Sequence, residues 1–124
     1  MRTRKRTIMA VGTNQNLCDK LAEALGLRPG LDEIKYRHWY DPNSTKLDEE
    51  PDIIVTEAHR GGAANAFRIY VRDLALAHPQ TKIVVIACGL CGGRFDAHAV
   101  VHTPLVQDLA DVIRPLLPGE TIDA

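Results

Sequence analysis

Asp52-Ile53-Ile54-Val55-Thr56 is an unbroken run of large, mostly β-branched residues with no polar alternation. Such a run needs cover on both faces, which is the situation of a central strand in a parallel sheet. Lys82-Ile83-Val84-Val85-Ile86-Ala87 repeats the pattern and is the most apolar segment of the chain, so it is placed at the sheet centre. Working outward, Thr7-Ile8-Met9-Ala10-Val11 is a third short apolar run, closed by Gly12-Thr13-Asn14. Ile34, Tyr36, His38 and Tyr40 instead alternate with Lys35, Arg37 and Trp39, as a strand wetted on one face at a sheet edge does. Ala99-Val100-Val101-His102 is a weaker final strand.

Between these runs the period changes to that of a helix. Leu17, Leu21, Ala24 and Leu25 form one stripe, and Gly26 is placed to end it. Phe67, Tyr70, Val71, Leu74 and Ala77 form a second stripe after Gly61-Gly62, with Arg68 and Arg72 on the solvent side and His78-Pro79 as terminator. Thr103-Pro104 supplies an N-cap and a first-turn proline for a third helix with Leu105, Leu109, Val112, Ile113 and Leu116 inward, and Pro115 disturbs its last turn. Asp41 to Lys46 has turn chemistry, so the connection before Ile53 reads as loop or a very short helix. Only Cys88 to His98 joins the last two strands, close to the minimum of about 10 to 12 residues for a parallel crossover. Alternating strands and helices give an α/β, flavodoxin-like three-layer sandwich with a five-stranded, mainly parallel sheet of order 2-1-3-4-5 and reduced second and fourth helices.

The 124 residues fit one domain, with a basic tail over about 1–5 and a C-terminal tail over about 118–124. Fifteen Lys and Arg against sixteen Asp and Glu leave a formal charge of -1, which provides no general field for nucleic acid. The basic start, Arg2 to Arg6, is a weak and salt-sensitive contact at most. No apolar run approaches the roughly 20 residues of a membrane span, and no secretory h-region follows the basic start, so a cytoplasmic location is expected. Three cysteines make no disulfide framework.

Pro51 to Glu57, the strand Ile83 to Ala87, and Val100-Val101-His102-Thr103-Pro104-Leu105 together resemble a response-regulator receiver (CheY-like) domain over most of the chain. Receivers carry two acidic residues after the first strand, a phosphoacceptor Asp ending the third, Ser or Thr ending the fourth, and Lys before Pro after the fifth. The resemblance puts those roles on Gly12 and Thr13, Glu57, Ala87 and Thr103, and every one of them is changed. Aspartyl-phosphate chemistry needs a carboxylate nucleophile, a divalent cation and further positive charge on the phosphoryl oxygens. Glu57 provides neither of the last two, and its extra methylene suits a phosphomimetic or a solvated strand end. The resemblance therefore implies a degenerate pseudo-receiver form, a non-enzyme without Mg²⁺-dependent phosphorylation.

Other constellations offer alternatives. Cys88-Gly89-Leu90-Cys91 is a CxxC that supplies two zinc ligands, with His98 and His102 as the nearest candidates to complete a set and His59 farther off. Two free thiols in a glycine turn is the plain reading, and Gly92-Gly93 makes a poor helix start for a redox dithiol. Gly12 to Asn16 follows a strand and opens a helix, an arrangement that can hold a phosphorylated ligand, while Thr13, Asn14 or Asn16 as N-cap accounts for the same residues. The only serine, Ser44, lies in a loop, which leaves serine hydrolase chemistry without a nucleophile at the rim. Three functions follow. The first is a signalling or regulatory module that binds a protein partner or a second copy of itself, without cofactor. The second is a zinc- or thiol-dependent sensor, and the third a small enzyme on a phosphorylated ligand.

Overall fold

The structure is a computed structural model, and it describes residues 5–11, 14–37, 50–57, 64–87, 97–101 and 105–118, with the side chains of 64–67 excepted. Five strands form one sheet: β1 (Arg6–Val11), β2 (Asp32–Arg37), β3 (Ile53–Glu57), β4 (Lys82–Ile86) and β5 (Ala99–Val101). Their order is β2-β1-β3-β4-β5, all pairs parallel. The helices are α1 (Gln15–Leu25), α2 (Ala64–Ala77) and α3 (Val106–Ile113), the last continued by a 3-10 turn over Arg114–Leu116. The three-layer sandwich and the strand order expected from the alternation of periods are both present. The second and fourth helices fall on residues outside those described, as do the strand extension from His38 to Tyr40 and the loop from Asp41.

The pleat explains the two cores. On one face Ile8, Ile53, Val55, Val84 and Val101 meet Leu21 of α1 and Leu109, Ala110 and Ile113 of α3. On the other face Val11, Ile54, Ile83, Val85 and Ala87 meet Val71 and Leu74 of α2. β3 and β4 are therefore buried on both sides, which is what their unbroken apolar sequences require. The edge strand β2 is wet on the second face, where Glu33 bridges Lys5 (3.0 Å) and Lys35 (2.9 Å).

Capping fixes α1. The Asn14 side chain accepts from the Leu17 amide at 2.8 Å, which selects Asn14 from the three N-cap candidates. Gly26 ends the helix at φ 67°, with its amide donating to the Glu23 carbonyl and the Leu27 amide to the Ala22 carbonyl. Only glycine takes that left-handed conformation without strain, so the stop signal read from sequence is a Schellman cap. Two helix expectations need correction. Leu105 is 62% exposed and occupies the N-cap position of α3, so the inward stripe begins one turn later, at Leu109. Ala77 faces solvent at the end of α2, and His78 is buried beyond it. Pro115 lies in the 3-10 turn, where tightening of the last turn accommodates its missing amide.

The N-terminal end of the sheet holds the ionic anchor. The Asp32 side chain is 1% exposed and accepts from Arg6 Nε at 2.7 Å and from the Arg28 amide at 2.9 Å. Arg6 also donates to the Pro118 carbonyl at 3.2 Å, tying the end of the last helix to the first strand. Arg6, counted from sequence in the basic start, is thus a structural residue, and Lys5 before it is held by Glu33. Nearby, Asp52 accepts from the Thr7 amide at 2.8 Å, and Thr81 donates to the Pro51 carbonyl at 2.7 Å.

The Arg6 hydrogen bond outweighs partial burial and holds the Asp32 carboxyl below its ordinary range. A depressed carboxyl contributes stability that is complete above its unfolded pKa, near 3.9, and is lost as pH falls through the folded value. Asp32→Ala is expected to destabilise the fold by about 2–3 kcal/mol at neutral pH, since it leaves Arg6 and the Arg28 amide without their acceptor. Urea unfolding of both proteins at neutral pH and at about pH 3 checks this, with the difference shrinking in acid.

Candidate functional site

In an open parallel sheet the crevice beyond the carboxyl ends of the strands is the natural site, because loops diverge there toward opposite faces. The registers bring Val11, Thr56 and Val85 level, with Glu57 beside Ile86 one step farther out. Glu57 thus closes the central strand at the rim, exposed, and its side chain makes no hydrogen bond or ion pair with any described residue. By strand alternation its side chain lies on the face of Ile53 and Val55. Ala87 lies on the opposite face, 2% exposed in the core cluster of Ile83 and Val85, with its amide bonded to the Val101 carbonyl at 2.8 Å. The position where the receiver resemblance expects a hydroxyl therefore holds a methyl group that serves the core. Gly12, Thr13 and Thr103 lie outside the described residues, immediately after β1 and two positions after β5.

Of the cysteine-histidine set, His98 alone lies among the described residues. His98 precedes β5 and lies level with Ile83, at the N-terminal end of β4. Its amide donates to the Ile83 carbonyl at 2.8 Å, and the Ile83 amide donates back to His98 Nδ1 at 3.0 Å. The ring therefore extends the sheet ladder as a neutral acceptor, with its proton on Nε2. Cys88, Cys91 and His102 lie outside the described residues, and so does His59. Cys18, read as a small core residue, is fully buried in α1.

Asn14 also bears on the phosphorylated-ligand reading. Its side chain already occupies the Leu17 amide, one of the donors an anion at this helix start would use. An open groove of about 370 Å³, lined by Glu50, Asp52, Gln80, Thr81, Lys82 and Leu116, lies at the opposite end of the sheet from Glu57. Its mixture of acids and one lysine shares no residue with the rim.

Sequence reading missed one feature of this region. Thr56 is fully buried between Val11 and Val85, and its Oγ1 has no hydrogen-bond partner among the described residues. Threonine belongs to a β-branched run as readily as valine, so nothing in the pattern marks it.

Solved structures of other proteins share this architecture. A CheY-like protein, tadZ, from Pseudomonas aeruginosa PAO1 superposes with a TM-score of 0.66 at 16% identity, covering 90% of this chain and 99% of that one. A response-regulator receiver domain protein from Clostridium thermocellum gives 0.56 at 13% identity over 90% and 93% of the two chains. The phosphorylated cyanobacterial phytochrome response regulator RcpA gives 0.57 at 12% identity over 94% and 100%. No family model matches the sequence, and no curated protein matches it. The likeness is one of fold alone, at 12% to 16% identity.

Two outcomes are expected. Thr56→Val keeps the shape and removes the orphaned hydroxyl, and stabilises the protein by up to about 1 kcal/mol in urea unfolding. Partial burial, followed by the nearby Lys82 charge, lowers the His98 pKa below its ordinary 6.5. The fold therefore favours the neutral ring: this contribution is complete above about 6.5 and fades as pH falls through the folded value. An NMR titration of the His98 ring proton should give a midpoint below 6.5, and a midpoint at or above it contradicts the ladder role.

Proposed function

We propose that this domain is a receiver-like signalling or regulatory module that works by binding protein and does not undergo Mg²⁺-dependent phosphorylation. The observation that carries the reading is the rim of the central strands. An exposed Glu57 stands alone among the described residues at the place of the acceptor, and the buried Ala87 methyl stands at the place of the hydroxyl. Phosphoryl transfer to a carboxylate is almost entirely positioning and charge compensation. Mg²⁺ needs at least one or two well-placed carboxylates in octahedral geometry, and the sequence after β1 offers Gly12 and Thr13 there. Thr103 likewise brings no cation for the phosphoryl oxygens or for a Glu57 phosphomimetic.

The fold itself supports a role in signalling, since it resembles domains described as response regulators. Protein recognition is the function left to such a scaffold once the covalent switch is gone. The domain then presents a fixed surface, and its regulation comes from partner availability.

Incubation of the whole chain with a small-molecule phosphodonor and Mg²⁺ is expected to give no acid-labile mass increment of one phosphoryl group. Glu57→Asp alone is expected to give none either, because the hydroxyl, the cation ligands and the lysine are all still lacking. A stoichiometric adduct on the unmodified chain overturns the reading.

A further inference from the structure

The outward faces of the described helices differ sharply. α1 presents Gln15, Asn16, Asp19, Lys20 and Glu23 to solvent, and α3 presents Gln107, Asp108 and Asp111. α2 instead exposes Ile69 (49%) and Leu76 (73%). They are seven residues apart, two turns along one side of the helix, and between them lie Arg72 and Asp73, whose side chains are 57% and 47% exposed. At 100° per residue these four positions form one stripe directly opposite the buried Val71 and Leu74. Two large aliphatic side chains held in water two turns apart on the face away from the core supply a pair of apolar anchors for a helix-to-helix contact.

We propose that this face of α2 docks a second copy of the chain, the two α2 helices lying side by side and pointing the same way about a two-fold axis. The proposal deepens the reading of the domain as a protein-binding module and rests on it. The charges select both the occupant and the orientation. By helical angle Arg72 and Asp73 lie on opposite flanks of the aliphatic seam at nearly the same height, and within one chain they approach each other only to 3.7 Å, an exposed contact worth little that a partner's charges can replace. With the two-fold axis parallel to the helices, the left flank of one copy meets the right flank of the other. Arg72 of each copy then lies beside Asp73 of the other, while Ile69 packs on Ile69 and Leu76 on Leu76. In an antiparallel pair centred on the same point equal flanks meet, placing Arg72 against Arg72 and Asp73 against Asp73. The face is thus complementary to itself in one orientation and repulsive in the other. With two aliphatic anchors per copy the interface is small, and the dimer belongs to the weak, transient class.

Sedimentation of the full chain over a concentration series reads the association. The unmodified chain is expected to show a concentration-dependent dimer below about 1 mM. Leu76→Asp or Ile69→Asp should raise the dimer Kd by roughly tenfold or more, since each sets a charge in the seam. R72D and D73R should each weaken self-association as well, whereas an equal mixture of the two recovers the affinity to within about threefold of the unmodified chain, each chain now supplying what the other lacks. All four positions are on the surface, so the variants keep the melting temperature, which circular dichroism verifies. A chain that stays monomeric throughout the series, or a dimer that these substitutions leave unchanged, overturns the proposal. Failure of the mixture to recover affinity overturns the parallel orientation. The phosphodonor assay reads the other question independently: a monomer without a phosphoryl adduct removes this interface and leaves the proposed function, while a dimer that takes up phosphate does the reverse.

Discussion

Burial of β3 and β4 on both faces is the constraint on which the rest of the molecule depends. Ile53, Val55 and Val84 need cover from α1 and α3, while Ile54, Ile83 and Val85 need cover from α2. A sheet covered on both sides by helices requires crossover connections, and right-handed crossovers place the strands in parallel. Reversal of order between β1 and β3 then opens the crevice at the carboxyl ends, with Glu57 at its centre. Site and scaffold are therefore the consequence of one burial pattern, and seven apolar residues in two strands carry most of it.

That pattern was legible because burial imposes periodicity. Leu21, Leu74, Leu109 and Ile113 all lie inward as their spacing requires, and Gly26 stops α1 as its position implies. The misreadings have physical causes too. Leu105 fits the helical period of α3 but falls where the chain has not yet turned into the helix, so its side chain stays in solvent. Arg6 was grouped with the basic residues before it because charge in a sequence does not reveal its partner. Asp32 lies 26 residues away and reaches it only once β1 and β2 pair.

The site was legible as a set of changed residues more than as an arrangement. Position along each strand puts Glu57 and Ala87 at the rim, and the structure adds that the first is solvated and the second belongs to the core. That contrast has a chemical meaning. A hydroxyl at Ala87 would have to sit in an apolar cluster, and burying it without a partner costs about 1–3 kcal/mol. Thr56 shows that this core already tolerates one such group, and a second would add to the load. Alanine is therefore the residue that packing favours at this position.

The distribution of polar anchors explains how the rim can change while the fold persists. Asp32 with Arg6 and Arg28, Arg6 with Pro118, Asp52 with Thr7, Thr81 with Pro51, and His98 with Ile83 all lie toward the N-terminal ends of the strands. These contacts are directional and partly buried, so losing one partner strands another, and they fix the register of the sheet. Glu57, at the other end, is exposed and its side chain is bonded to no described residue, so its substitution disturbs little that holds the molecule together. The contacts that hold the sheet in register thus gather at one end of the strands, and the exposed rim around Glu57 lies at the other, so a substitution at the rim leaves the anchors intact.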